Sequence, residues 1–103
     1  MDSTIDAEYG LRKEILKEII RILVLRKQPK RIYLFGSRAR GNFARTSDID
    51  LALEGARKND PFRNEMDESI RTLLSIDVVE THKIHKKFRK EILKEGKLIY
   101  EAR

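Results

Sequence analysis

Apolar residues recur at helical spacing near the start of the chain, with charged residues between them. The spacing predicts a helix over Tyr9–Arg26, whose apolar side is formed by Leu11, Ile15, Ile19, Ile22 and Leu23. Pro29 ends this helix, because proline disfavours helical backbone in the residue before it. The run Arg31–Phe35 that follows is rich in β-forming residues and predicts a short strand, which Gly36 stops.

The rest of the chain alternates between strand-like and helix-like patterns. We predict strands over Asp48–Leu53 and Ser75–Thr81, helices over Pro61–Leu74 and Lys86–Glu95, and either a short edge strand or a tail at Leu98–Tyr100. Helix, strand, strand, helix, strand, helix indicates an α+β fold with a small mixed sheet and helices packed on one face. At 103 residues, the chain is expected to form a single domain, residues 1–103.

A glycine-serine turn follows the first long strand, in the segment Gly36-Ser37-Arg38-Ala39-Arg40-Gly41. We predict one helical turn over Arg38–Gly41 with Ser37 as its N-cap, and exposed N–H groups at such a start suit a phosphate. Gly36 lets the backbone approach the phosphate closely, and Ser37 offers its N–H and hydroxyl. We favour Arg40 as a phosphate clamp, while Arg38 and Arg45 stay candidates and ordinary surface arginines are the alternative for all three.

Two carboxylates lie one residue apart in the next predicted strand. Side chains alternate along a strand, so Asp48 and Asp50 point to the same face. Like charges this close are unfavourable without a cation, and Mg²⁺ or Mn²⁺ prefers oxygen ligands. A third acid would complete a two-metal site, and Asp77 is the candidate because it interrupts an apolar run. The alternatives are a solvent-facing acidic pair and an isolated aspartate on an edge strand.

These residues carry a family resemblance. Gly36-Ser37, ten intervening residues and Asp48-Ile49-Asp50 resemble the signature of the DNA polymerase β-like nucleotidyltransferase superfamily, and the chain is similar to the minimal nucleotidyltransferases of prokaryotes. The resemblance implies a polymerase β-like palm fold and supports Asp77 as the third acid. It also implies an antitoxin that transfers AMP from ATP, or from another nucleoside triphosphate, to a tyrosine of a HEPN-domain toxin partner.

Two other functions stay open. The chain could neutralise a partner protein by contact alone, with nucleotide as a stabiliser, or it could transfer a nucleotide to a small molecule or an RNA end. Enzymes of the last kind usually carry a further acceptor-binding domain.

Charge and composition narrow the setting. The net charge of +6 permits an anionic partner, and much of the excess lies between Lys83 and Lys97. No aromatic-interleaved basic stretch is present, so nucleic acid is not the expected partner, while homo- and hetero-oligomers both stay open. The absence of cysteine and of a long apolar run leads us to expect a cytoplasmic protein without a membrane span. His82 and His85 are expected to be surface residues, because no further ligand completes a zinc set.

Overall fold

The computed structural model of the protein describes residues 5–6, 9–44, 47–57 and 75–103. A four-stranded sheet forms its centre, and a separate two-stranded sheet precedes it. The strands are β1 Ile5–Asp6, β2 Leu11–Arg12, β3 Arg31–Phe35, β4 Ile49–Glu54, β5 Ile76–Glu80 and β6 Lys97–Glu101. The helices are α1 Lys13–Lys27, α2 Ser37–Arg40 and α3 Lys86–Glu95, with a 3₁₀ turn at Thr81–Lys83.

The central sheet is mixed, with the strand order β5-β4-β3-β6. Strand β3 is antiparallel to both β4 and β6, whereas β4 and β5 are parallel. The predicted α+β class and the small mixed sheet are therefore confirmed. Because β4 and β5 run in the same direction, their N-terminal ends lie side by side at one end of the sheet. Asp48, Asp50 and Asp77 lie near that end.

The main core lies between α1 and one face of the sheet. Alternate strand residues point to this face and are buried, and one side of α1 covers them. The members of this core include Ile19, Ile22, Leu23, Ile32, Leu34, Ile49, Leu51, Leu53 and Ile76. Burial of each such side chain contributes roughly 1.5–3 kcal/mol relative to leaving it in water. Helix α1 thus packs on the sheet through its predicted apolar face. The polar strand residues lie on the opposite face of the sheet.

The first helix begins later than its apolar spacing predicts. Leu11 pairs with Asp6 in the β1–β2 ladder, and α1 starts only at Lys13. Leu11 is nevertheless buried in the main core. Its apolar side chain therefore fits the predicted helical spacing as well as the strand that forms. The other end agrees with the prediction, because Gln28 takes a left-handed conformation directly before Pro29.

The remaining strand bounds agree with the predictions to within one residue, and the terminal segment forms β6 rather than a tail. The helix predicted over Pro61–Leu74 lies outside the described residues. Among the helices that the structure describes, none has both the length and the apolar character needed to cross a membrane.

Candidate active site

The sheet register brings two acidic residues side by side. Asp50 of β4 is the partner of Asp77 of β5 in the parallel ladder, so both side chains lie on the face opposite the main core. Asp48, the first residue of the predicted strand, lies just before β4 and is exposed. The structure therefore places Asp48, Asp50 and Asp77 at the same end of the β4–β5 pair.

Asp50 lies where a negative charge is disfavoured. Partial burial raises the pKa of its carboxyl, and the neighbouring Asp77 and Asp48 raise it further, while Arg40 acts in the opposite direction. Crowded carboxylates of this kind favour a bound cation, which would offset their repulsion.

The donor set fits Mg²⁺ or Mn²⁺. Within the residues that the structure describes, no three acidic or histidine side chains form a ready-made metal site. Mg²⁺ does not require one, because it usually binds to one or two carboxylates and completes its shell with substrate phosphates and water. Asp50 with Asp48 or Asp77 is a donor set of this size, so the chemistry of the site fits a metal that arrives with a triphosphate.

The glycine turn lies directly against this carboxylate pair. Gly36 has a φ of 77°, and a Cβ at this position would overlap an oxygen of the Asp50 carboxylate. Only glycine therefore combines this backbone conformation with this closeness. The turn leads into the four-residue helix α2, whose first N–H groups have no acceptor within the helix.

The position of the helix cap differs from the prediction. Gly36 occupies the N-cap position, α2 begins at Ser37, and no side chain caps it. Ser37 falls one position further along because the left-handed backbone needed to leave β3 is available to glycine rather than to serine. Its hydroxyl is therefore not used in the predicted cap. The end of this helix agrees with the prediction, since Gly41 closes it with a hydrogen bond from its N–H to the Ser37 carbonyl.

Arg38 is a structural residue and not a surface arginine. Its side chain is only 1% exposed, and its guanidinium donates hydrogen bonds to the carbonyls of Tyr9 at 2.8 Å, Gly10 at 3.2 Å and Ser47 at 3.0 Å. The Phe43 ring lies 5.2 Å from the guanidinium carbon. Arg38 thus ties the turn before β2 to the residue that precedes Asp48. The sequence offered no signal for this, because the acceptors are backbone carbonyls on distant segments.

Arg40 has a different environment. Its side chain is half exposed, its charge reaches Asp50, and its Nη1 lies 4.0 Å from Glu95 of α3. Of the two arginines of α2, Arg40 is therefore the one whose charge lies beside the carboxylates. Arg45 lies outside the described residues.

Helix α3 lies beside the site. Phe88 packs edge-on against Phe35 with ring centroids 6.0 Å apart, and Phe35 is the register partner of Asp50. Phe88 is 41% exposed and lies at the sheet end that holds the acids. His85 is exposed, and it caps the start of α3 because its Nδ1 accepts a hydrogen bond from the Lys87 N–H.

Two other acidic strand residues are not part of the site. Glu80 lies on the opposite face of β5, where one carboxylate oxygen is 3.4 Å from the buried Nζ of Lys27. Glu54 lies at the far end of β4 and pairs with Arg31 at 3.0 Å. The acids beside the glycine turn are therefore Asp48, Asp50 and Asp77, as their strand parity and position predict.

Comparison with known proteins gives a consistent picture. Residues 17–103 match the model of the family described as "Polymerase beta, Nucleotidyltransferase". A Methanocaldococcus jannaschii protein named "Putative protein adenylyltransferase" is 38% identical over 93 residues, which cover 85% of this chain and 92% of the relative.

Two solved complexes have similar folds. One is a toxin–antitoxin complex with AMP-PNP, with a TM-score of 0.68 and 24% identity over 90% of this chain and 76% of the other. The second is the tri-AMPylated HEPN toxin of Shewanella oneidensis with its MNT antitoxin, with a TM-score of 0.61 and 22% identity over 87% of this chain and 72% of the other.

Proposed function

The chain belongs to the polymerase beta nucleotidyltransferase family and is an enzyme of that class, and on this basis we propose that it transfers AMP from ATP to a tyrosine hydroxyl of a HEPN-type toxin, for which it serves as the antitoxin. The observation that carries the proposal is the pairing of Asp50 with Asp77 against the Gly36 turn. A phosphate-accepting turn and a carboxylate pair are the two halves of a site for a metal-bound triphosphate.

In this proposal Asp48, Asp50 and Asp77 hold Mg²⁺ or Mn²⁺, which would neutralise the triphosphate and lower the pKa of the acceptor hydroxyl. Gly36 leaves room for a phosphate beside the Asp50 carboxylate, and Ser37 offers its N–H and its hydroxyl to the phosphate oxygens. Arg40 exchanges its exposed contact with Glu95 for a phosphate contact, at little cost because exposed ion pairs are weak.

The reaction is an in-line displacement at the α-phosphorus. The tyrosine oxygen forms a bond to the α-phosphorus, the bond from that phosphorus to the bridging oxygen breaks, and pyrophosphate leaves. Asp77 accepts the proton of the tyrosine hydroxyl, a role that suits a carboxylate beside the metal ligand Asp50.

The partner is proposed from the relatives. The HEPN toxin in one similar complex is AMPylated, and another toxin–antitoxin complex contains AMP-PNP. The curated relative is named as a protein adenylyltransferase, which supports a protein acceptor for this chain as well.

The test follows label from the α-phosphate of ATP into a purified HEPN-type protein. We expect transfer by the wild type, localisation of AMP to a tyrosine by mass spectrometry, and loss of at least ~100-fold in rate for Asp50→Asn. Glu14→Gln, an exposed acid on α1, is the control and should transfer at the wild-type rate.

Two results would contradict the proposal. Transfer that persists in Asp50→Asn would remove the carboxylate pair from the chemistry. Full neutralisation of the toxin by Asp50→Asn without any transfer would instead establish inhibition by contact.

A further inference from the structure

The backbone of Asp48 is held differently from that of the other two acids. Asp48 lies just outside β4, so the ladder that fixes the other two does not extend to it. On its C-terminal side, the N–H of Ile49 donates a hydrogen bond to the Ser75 carbonyl at 2.8 Å. On its N-terminal side lies Ser47, which is part of neither a helix nor a strand. The direction of the Asp48 side chain therefore depends on what holds the Ser47 peptide group.

Arg38 holds this peptide group. Two nitrogens of its guanidinium converge on the Ser47 carbonyl oxygen, Nη2 at 3.0 Å and Nε at 3.3 Å. The peptide unit is planar, so the Ser47 carbonyl and the Asp48 N–H can only turn together. By holding the carbonyl, Arg38 fixes the plane from which the Asp48 Cα projects. Without this contact, the Asp48 carboxylate could change its direction while the sheet stayed as it is.

The other end of the same guanidinium is fixed as well. Its Nη1 donates hydrogen bonds to the carbonyls of Tyr9 at 2.8 Å and Gly10 at 3.2 Å, and the Phe43 ring lies 5.2 Å from the guanidinium carbon. A planar fork that binds acceptors on both sides has little freedom to rotate. The buried Arg38 side chain is therefore a rigid support for the segment that precedes Asp48.

The backbone of Arg38 belongs to the phosphate-accepting turn. Arg38 is the second residue of α2, the short helix that follows Gly36. The turn thus contacts the carboxylates at two points, directly where Gly36 lies against Asp50, and indirectly where Arg38 reaches the residue before Asp48. The second contact sets the position of the Asp48 backbone relative to the turn.

We propose that Arg38 is a positioning residue for the metal site, and that it directs the Asp48 carboxylate toward the metal-bound triphosphate by holding the Ser47 carbonyl. The inference rests on the proposed function, because that function assigns the metal to Asp48. The guanidinium is engaged by backbone carbonyls, so Arg38 acts through Asp48 and not by contact with a phosphate. Groups that orient metal ligands in this indirect way contribute about 10–100-fold to metal affinity.

The test is a double-mutant cycle between Arg38 and Asp48, in which calorimetry measures Kd for Mn²⁺·ATP. Arg38→Lys retains the charge, but a single nitrogen cannot hold the Ser47 carbonyl together with the acceptors on the other side. We expect Kd to rise about tenfold in Arg38→Lys and at least about tenfold in Asp48→Asn. The double variant should bind within about twofold of Asp48→Asn, because no carboxylate is left to be misplaced.

Two further variants separate positioning from a general loss of stability. Glu80→Gln disrupts the buried pair with Lys27 on the opposite face of β5, so it destabilises the fold away from the site, and its Kd should stay within about twofold of the wild type. Phe43→Leu removes the ring beside the guanidinium and leaves the acceptors of Arg38 in place, and it should raise Kd about threefold. Circular dichroism confirms that each variant is folded.

Three results would overturn the positioning role. The first is a wild-type Kd in Arg38→Lys or, if that variant does not fold, in Phe43→Leu. The second is a double variant in which the two losses multiply, as they do for independent sites. The third is an equal rise of Kd in Glu80→Gln. If the coupling between Arg38 and Asp48 is found and no protein accepts AMP, the positioning role stands and the proposed transfer alone is contradicted.

Discussion

The ionised Asp50 carboxylate destabilises the folded protein. Its pKa is raised by burial and by two neighbouring carboxylates, so the folded protein binds this proton more tightly than the unfolded chain does. The free energy of unfolding therefore falls as the pH rises from the ordinary pKa of an aspartate through the raised pKa of Asp50.

Asp50→Asn should consequently stabilise the metal-free protein at pH 7, by about 1 kcal/mol, a gain that is common when a functional group is removed. The difference should shrink toward about pH 3, where the carboxyl is protonated in both states. Urea unfolding across this pH range measures it. Mg²⁺ should raise the melting temperature of the wild type more than that of the variant, and an equal rise in both would argue against metal binding at Asp50.

Arg38 makes a second prediction at the scale of one residue. Arg38→Lys retains the charge but cannot reach the carbonyls of Tyr9, Gly10 and Ser47 together, because lysine lacks the planar fork. A hydrogen bond made by a charged group contributes about 1.5–3 kcal/mol, and we therefore expect a loss of about 2–3 kcal/mol in chemical denaturation. Arg40→Lys, on the half-exposed neighbour, should change stability by less than about 0.5 kcal/mol. Equal losses in the two variants would contradict the structural role of Arg38.

At the scale of elements, the turn from β3 into α2 can be tested with a matched glycine pair. Gly36 and Gly41 both have positive φ, at 77° and 86°, but a Cβ would overlap the Asp50 carboxylate only at Gly36 and would meet nothing within 4 Å at Gly41. Both alanine variants carry backbone strain: of order 1 kcal/mol at Gly41, which is left-handed helical, and about 1–3 kcal/mol at Gly36, whose ψ of −157° lies in a region almost exclusive to glycine. Gly36→Ala should lose a further ~1–3 kcal/mol and should also weaken ATP binding, because Asp50 must move. Calorimetry with ATP and Mg²⁺ measures this affinity. Equal ATP affinities in the two variants would contradict a role of the Gly36 turn in ATP binding.

The elements differ in how well local patterns predict them. Strands β3, β4 and β5 could be predicted to within a residue because each is a short run rich in β-forming residues. The start of α1 could not, since Leu11 fits a helix face and a buried strand equally. Ser37 was wrongly given the N-cap, because side-chain preference alone does not reveal that the chain needs a left-handed residue at Gly36.

At the scale of the whole molecule, a buried ion pair joins distant parts of the chain. Lys27 at the end of α1 has no exposed side-chain surface, and its Nζ lies 3.4 Å from the Glu80 carboxylate at the end of β5. Removing one partner leaves the other charge buried, so Glu80→Gln should lower the free energy of unfolding by about 3 kcal/mol. Glu101→Gln breaks a pair with Arg31 that is about half exposed, and it should cost less than about 1 kcal/mol. Denaturant titrations compare the two, and a smaller loss for Glu80→Gln would contradict the assignment.

The candidate site was predictable from the sequence in its residue types and less so in its arrangement. The glycine turn and the carboxylates Asp48 and Asp50 lie close together in the chain, so their proximity follows from strand parity. The position of Asp77 depends on the pairing of β4 with β5, which no local pattern specifies, and it was inferred from its odd place in an apolar run and from the family resemblance. The burial of Arg38 could not be foreseen, because it depends on carbonyls contributed by two separate segments.

The ladder between β4 and β5 also constrains how this protein can change over time. A single-residue insertion or deletion within either strand would turn every later side chain to the other surface. Just before Asp50 or Asp77, it would send that carboxylate into the apolar core beneath α1 and a leucine or valine toward the substrate. Lineages that keep the enzyme should therefore tolerate length changes in the connections but not inside these two short stretches.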